Sequence, residues 1–372
     1  MSKRGNNEGT IRQRLNGLWE ARVTLPNGER KSYYGKTRAE VQRKMTAGLR
    51  DVQQGLPVPT GRQTVGQFLD RWLADVVKLK NRPRTYVSYE EAVRLHLKPA
   101  LGKLSLERLT PQVIQTALTR MIENGVSAHR TAYVRNILRN ALGRAVKWGL
   151  IPRNPAALTD APRWNRRHVE AMTDAEARAL LALFDGDRFG GIYTTALALG
   201  LRRGEVLGLR WSDVDFDAGT LAIGGQFQYY DGAWCYMEPK TDRSQRTLAL
   251  PAFLKARLQE QRSRVLEQRL RAGPLWQDHD LVFPTDRGTP HHGENISHRF
   301  ARLLRQAGMP AMRMHDLRHG AASLLLAQGV TLREIMEILG HAQINITADL
   351  YTHIAPEMKR RAAVAMDAVM TG

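Results

Sequence analysis

Between Ile11 and Leu25 apolar and polar residues alternate in two short runs that meet at Asn16-Gly17, and this pattern predicts a β-hairpin. A third strand is expected over Arg30 to Gly35, behind Asn27-Gly28. At Thr37 the period changes from two to that of a helix, with Thr37 as cap, Glu40 three residues on, and an end near Gln54. Gly55-Leu-Pro57-Val-Pro59-Thr-Gly61 breaks the pattern as a linker. Helical periodicity then returns four times. The first helix starts at Thr64 and buries Phe68, Trp72 and Leu73; the second runs from Thr85 to about His96; the third starts at Thr110-Pro111 and runs to about Asn124-Gly125. The fourth spans roughly Ser127 to Trp148, with Tyr133, Ile137, Leu138, Ala141, Leu142 and Val146 on one face. A second linker covers Ile151 to Trp164.

Beyond it, Thr173-Asp174-Ala-Glu176 caps a further helix, and an apolar helix ends in Gly200-Leu201. Strands are expected from Leu221 to Tyr229 and, after a turn at Pro239-Lys240-Thr241, up to Leu250. Helices follow over about 252 to 272 and 294 to 307, then packed apolar runs at Leu324 to Leu326 and at Ile335, Ile338 and Leu339. An amphipathic helix over 356 to 370, opened by Pro356, closes the chain and packs either on its own domain or on a neighbouring subunit. The expected architecture is multidomain and mainly α with small β elements. It comprises a three-stranded sheet plus helix over residues 1–58, a four-helix domain over 62–163 and a mixed α+β domain over 168–372.

Charge changes this picture by assigning a partner. The chain of 372 residues carries a formal net charge of +20, and a polyanion is the natural counterpart. Residues 1–60 hold +7 of it, residues 61–163 hold +11, and the remaining 209 residues only +2. Arg12, Arg14, Arg22, Arg30 and Lys31 in the first module, and Arg130, Arg135 and Arg139 on the fourth helix, are therefore candidate contacts to DNA phosphates. The blander alternative is a solvated basic face on an ordinary scaffold. Cys235 is the only cysteine, which excludes an internal disulfide and a cysteine zinc site. No apolar run has membrane-spanning length, so a cytoplasmic, DNA-associated protein without membrane contact is expected.

The almost neutral last domain holds the candidate chemistry. His315 and Arg318 are three residues apart and share one face of a helix, where they can grip the same anion. Leu339-Gly340-His341 returns a second histidine toward it, and Tyr351 follows ten residues later. Arginine offers a planar fork for phosphate oxygens, histidine a proton carrier near neutral pH, and tyrosine a hydroxyl able to form a phosphoester. Each residue alone reads as part of a histidine-rich helical bundle; their grouping favours phosphoryl transfer. His315 and His319 lie four apart, as in zinc-binding helices, but Asp316 is shorter than the glutamate such a site needs, and Arg318 sets a cation beside it. There is no Gly-rich nucleotide loop.

The order Gly200-Leu201-Arg202 with Glu205, Pro239-Lys240-Thr241, His315-x-x-Arg318, Leu339-Gly340-His341 and Tyr351 resembles the catalytic set of the tyrosine recombinases, specifically the phage-type integrases. The three-part layout is similar to integrases with an arm-binding domain, a helical (SAM-like) core-binding domain and a catalytic domain. The resemblance implies that Tyr351 attacks a DNA phosphate to leave a 3′-phosphotyrosine and a free 5′-hydroxyl, with neither ATP nor metal. It implies that Arg202, Arg318 and His341 stabilise the charged intermediate, that Lys240 protonates the leaving oxygen, and that His315 accepts the tyrosine proton. Glu205 would orient the arginines. Spacing alone does not choose between Arg202 and Arg203; the resemblance picks Arg202. His319 and His353 are expected to pack or to support, and His291-His292 to form an exposed loop pair.

The implied activity is site-specific integration, and excision, of a mobile element by a homotetramer on double-stranded attachment DNA. Whether a host bending protein or an excisionase joins it stays open. A type IB topoisomerase would share the phosphotyrosine chemistry but not the arm-like module, and an architectural DNA-binding protein would leave the catalytic set unused.

Overall fold

The computed structural model describes residues 9–24, 30–53, 63–164, 170–238 and 245–340, together with positions 366, 367 and 370. Lys240, His341, Tyr351 and His353 lie outside the described residues, as does most of the expected C-terminal helix. The chain divides into two compact units, Met1–Arg166 and Arg167–Gly372. No helix among the described residues is long and apolar enough to cross a membrane.

In the first unit, β1 (Thr10–Gln13), β2 (Trp19–Thr24) and β3 (Arg30–Gly35) form an antiparallel sheet in that order, and α1 (Arg38–Gln53) covers one face. The strand period sends Ala21 and Val23 of β2 toward Val41 and Met45 of α1, and these four form the module's own small core. Glu20, Arg22 and Thr24 consequently share the opposite face. The Thr37 hydroxyl accepts the Glu40 backbone N–H at 3.2 Å, as a helix N-cap should.

The helical block has a separate core. α2 (Val65–Trp72) opens with a full capping box between Thr64 and Gln67, and continues through a π-helical turn, Leu73–Val77, into α3 (Lys78–Lys80). α4 (Pro83–Ala92) likewise passes through a π turn, Val93–Leu97, into α5 (Lys98–Leu101). The second helix therefore outruns its expected end near His96. Pro99, which has no N–H to give, stands just past that turn, where the helical hydrogen bonding is already displaced. α6 (Pro111–Glu123) and α7 (Ala128–Lys147) are capped by Thr110 and Ser127. Phe68, Trp72, Ile114, Leu138 and Leu142 are almost fully buried, and the two aromatic rings contribute about 2–3 kcal/mol each by leaving water.

The second unit begins with α8 (Asp174–Asp185), held by the Thr173–Glu176 capping box, followed by α9 (Gly190–Ala198) and the short α10 (Arg203–Leu207). Strands β4 (Val214–Asp215), β5 (Thr220–Ile223) and β8 (Arg246–Ala249) make one antiparallel sheet; β6 (Gln226–Tyr230) and β7 (Ala233–Met237) form a separate hairpin. The helices α11 (Ala252–Ala272), α12 (Gly293–Gln306), α13 (Asp316–Ala327) and α14 (Leu332–Leu339) complete it. The core is built around Leu180, Phe184, Tyr193 and Phe300, and α13 and α14 meet through Ala322, Leu326, Ile335 and Leu339.

Candidate functional site

Two glycines bring the arginines together. After α9 the chain turns at Gly200, whose φ of +60° is available to glycine without strain. A Cβ there would stand 2.3 Å from Leu339 Cδ2, so the turn after α9 lies this close to α14 only because the position is bare. The turn aims the Gly200 carbonyl at Arg318 Nη1, 2.8 Å away, and delivers Arg202 to the start of α10. At the far end of α14, Gly340 takes the left-handed conformation (φ 66°, ψ 49°) that ends many helices, leaving the last carbonyls of α14 exposed to donors.

Glu205 is the hub. Its carboxylate accepts the Arg202 backbone N–H at 2.9 Å and Arg202 Nη1 at 2.6 Å. Arg246 Nη1 and Nη2 reach its two oxygens at 3.3 and 3.0 Å, and Arg318 Nη1 lies 3.8 Å away. The guanidinium groups also take main-chain carbonyls: Arg246 Nε donates to Ile338 O at 2.6 Å, Arg318 Nη2 to Leu339 O, and Arg202 Nη2 to Gly340 O at 2.9 Å. One carboxylate among three arginines leaves these four side chains two positive charges in surplus, a shortfall that a phosphate can fill. Burial alone would raise the Glu205 pKa, but Arg246 and Arg202 hold it below the usual carboxylate value. Arg318 is pushed down to about 9 by burial and then by Arg202 and Arg246, against the pull of Glu205, and stays charged at neutral pH.

His315, the N-cap residue of α13, lines with Arg202, Arg203, Ser297 and Arg313 a cavity of about 530 Å³. Burial first, then His319, Arg318 and Arg313, push its imidazole down to about 4, opposed by Asp316. His315 as a whole residue is exposed, so water screens part of this effect; the direction makes it a neutral proton acceptor at pH 7. His319 meets it edge to face, 5.2 Å between centroids. Its pKa is lowered as well, by burial first.

A pH prediction follows with a definite sign. An unfolded histidine titrates near 6.5, so below that the unfolded chain binds a proton that folded His315 refuses until about pH 4. Stability is unaffected by this group above pH 6.5 and falls as pH drops from there toward 4. His315→Gln should flatten urea-denaturation stability across that window, by at most about 1.4 kcal/mol per pH unit. An unchanged slope would show that His315 is not the titrating group.

Arg203, indistinguishable from Arg202 by spacing, points elsewhere: its Nη1 donates to Ser297 Oγ at 2.7 Å and its Nη2 to Glu294 at 3.0 Å, both on α12. His291 differs from expectation: burial lowers its pKa, and its ring bonds the Pro284 carbonyl at 3.1 Å, so only His292 of that pair is exposed. Arg246 went unread in the sequence. The available signal was the strand period, which puts it in phase with buried Leu248.

In the first unit the open face of the sheet carries a second cluster. Glu20, 1% exposed, is bonded by Arg12 Nε at 3.0 Å, Arg22 Nε at 3.1 Å and the Tyr34 hydroxyl at 3.2 Å, and Arg14 Nε is 3.8 Å away. Burial pushes the Glu20 carboxyl up, but donors from Arg12, Arg22, Ser32 and Tyr34 outweigh it and bring it to about 2. Arg12, Arg14 and Arg22 are thus held side by side while remaining substantially exposed. Register puts Arg30 on this face and Lys31, opposite Val23, on the face toward α1. Lys31 therefore does not join the open set.

On α7, Arg139 is exposed, and Arg130 is partly exposed, 3.5 Å from Glu91 and over the Tyr133 ring. Arg135 does not belong to that surface. It is 7% exposed and donates to Thr159 Oγ1 at 2.9 Å and to the Thr159 carbonyl, tying α7 to the turn after Pro155–Leu158.

Residues 171–358 match the phage integrase family, and residues 64–122 match the N-terminal SAM-like domain of phage integrases. The chain is 30% identical to a tyrosine recombinase XerC-like protein of Caldanaerobacter subterraneus subsp. tengcongensis, over 95% of this chain and 97% of that protein. It is also 30% identical to an integrase of Streptomyces ambofaciens, over 94% and 93% respectively. Its fold is similar to that of the Tn1549 transposon integrase solved with transposon right end DNA, with a TM-score of 0.69 at 22% identity over 80% of this chain and 99% of that one. It is also similar to lambda integrase solved as a tetramer on a Holliday junction, with a TM-score of 0.57 at 19% identity over 90% and 95%.

Proposed function

The chain belongs to the phage integrase family of tyrosine recombinases, enzymes of site-specific DNA strand transfer, and from that premise we propose how its own residues divide the work. Tyr351 is the nucleophile and retains the bond energy of the cleaved strand as a 3′-phosphotyrosine. Arg202 and Arg318, with His341, stabilise the pentacoordinate phosphorane; Lys240 protonates the departing 5′-oxygen, and neutral His315 accepts the tyrosine proton. Glu205 orients the arginines. The observation that carries this reading is the cluster of three guanidinium groups around one carboxylate, four side chains that together are net positive and border the cavity that His315 lines.

The division into an arm-binding module (1–58), a core-binding domain (62–163) and a catalytic domain (168–372) belongs to the same proposal. The separate cores of the sheet module and the helical block support it, as does the open face bearing Arg12, Arg14, Arg22 and Arg30. Four copies would act on two duplexes at attachment sites, with a host bending protein or an excisionase as the accessory class, in the cytoplasm and on the nucleoid of a bacterial host. A duplex selected for binding from a random-sequence library, then nicked to trap cleavage, provides the test. In EDTA and without ATP it should yield a protein–DNA adduct that survives SDS. Tight, salt-sensitive binding with no adduct on any selected duplex would overturn the enzymatic assignment in favour of an architectural role.

A further inference from the structure

Arg246 is absent from the reaction set read along the chain, yet it is bonded into the centre of the site. Its side chain is 7% exposed, both its Nη atoms contact the two Glu205 oxygens, and its Nε donates to the Ile338 carbonyl at 2.6 Å. With Arg318 on Leu339 O and Arg202 on Gly340 O, three arginines from three different elements take three consecutive carbonyls at the end of α14. Those carbonyls have no intrahelical partner and form the negative end of the helix dipole, so cations are favoured there. The residue that follows in sequence is His341.

We propose that Arg246 is a positioning residue, which occupies Glu205 bidentately and ties it to the last turn of α14, so that Arg202 keeps an edge free for the scissile phosphate. Without it, Glu205 regains acceptor capacity inside a buried cluster, and Arg202 and Arg318 are the donors within reach. The guanidinium that should meet phosphate is then drawn onto carboxylate, and the Ile338 carbonyl loses its donor. Arg246 touches neither DNA nor the reacting atoms in this scheme; it acts through Glu205 and the helix end. The inference rests on the functional reading above.

A planar fork and a point charge have different consequences here, and this gives the test. Single-turnover adduct formation on the trapping duplex would be followed for wild type, Arg246→Lys, Arg246→Met, Glu205→Gln and the Arg246→Met/Glu205→Gln double variant, with DNA affinity and final adduct yield measured alongside. Both Arg246 variants should lower the rate on the order of 10²-fold, as for a displaced reacting group, with affinity and final yield near wild type. The double variant should be no slower than the slower single one, because both changes remove the same support.

Lysine keeps the charge but not the bidentate geometry, so a wild-type rate with Arg246→Lys would overturn positioning in favour of charge alone. A loss of yield at unchanged rate would reduce Arg246 to a folding role and also overturn it, as would additive losses in the double variant. Absence of adduct with the wild type would instead overturn the functional reading, and this inference with it.

Discussion

Tyr351→Phe should abolish the covalent adduct, by more than about 10⁴-fold in rate, while DNA affinity stays within about twofold of wild type. Phenylalanine preserves the ring and removes only the oxygen that would bond to phosphorus, so binding and chemistry separate cleanly at this position. Two other tyrosines of this unit, Tyr193 and Tyr236, are poor substitutes. Burial pushes the Tyr193 phenol well above its usual pKa and sets its hydroxyl 3.3 Å from the Ile296 carbonyl, and burial also raises Tyr236. Mass spectrometry of the digested wild-type adduct should place the nucleotide on the peptide containing Tyr351. An adduct that persists in the phenylalanine variant, or maps to Tyr229 or Tyr230, would move the nucleophile elsewhere and remove the reading of the 339–351 stretch as one catalytic unit.

Local rules carried far along this chain where the signal was itself local. Thr64, Thr110, Ser127 and Thr173 were legible as helix starts, and all four are N-caps, because a hydroxyl accepting an N–H three residues on needs nothing beyond its own turn. The hairpin at Asn16-Gly17 was legible for the same reason. The hairpin β6–β7 was not read, although its turn, Asp231-Gly232, has positive φ at both residues and is the same kind of signal. The expected strand from Leu221 stopped at Tyr229, just short of this turn and of the strand that returns from it.

Polar residues were harder to place, because their environment depends on partners far away in sequence. Arg135 shares the helical period of Arg139 closely enough to read as surface, but its destination is Thr159, which only the folded loop brings to it. Arg246 looked like a strand arginine near a turn; its meaning depends on Glu205, 41 residues earlier, and on the end of α14, 92 residues later. Lys31 stands one register step off the open face, since a period of two sends neighbours to opposite faces and charge alone does not say which face is covered. Motif order proposes the reacting residues; the residues that hold Arg202 and Arg318 are known from geometry.

That distinction separates Arg318 from Arg202. Arg318 is 1% exposed, with Nη1 on the Gly200 carbonyl and Nη2 on the Leu339 carbonyl, while the Arg202 side chain is 38% exposed. Arg318→Met should therefore fail twice. It strips two inward-facing carbonyls of their donor, at about 1–3 kcal/mol each, and lowers the cleavage rate on the order of 10³-fold by removing preorganised positive charge from the phosphorane. Arg202→Met should lower the rate comparably but cost under about 1 kcal/mol of stability, since its contacts with Glu205 and Gly340 O lie at the solvent-facing side of the cluster. Urea denaturation and single-turnover cleavage, run on both variants, measure the two quantities independently. Equal stability losses would show that the buried and open arginines are energetically alike. A rate loss for Arg318→Met no larger than its loss of folded protein would mean that Arg318 is a structural strut between α9, α13 and α14, leaving Arg202 as the arginine that meets the phosphate.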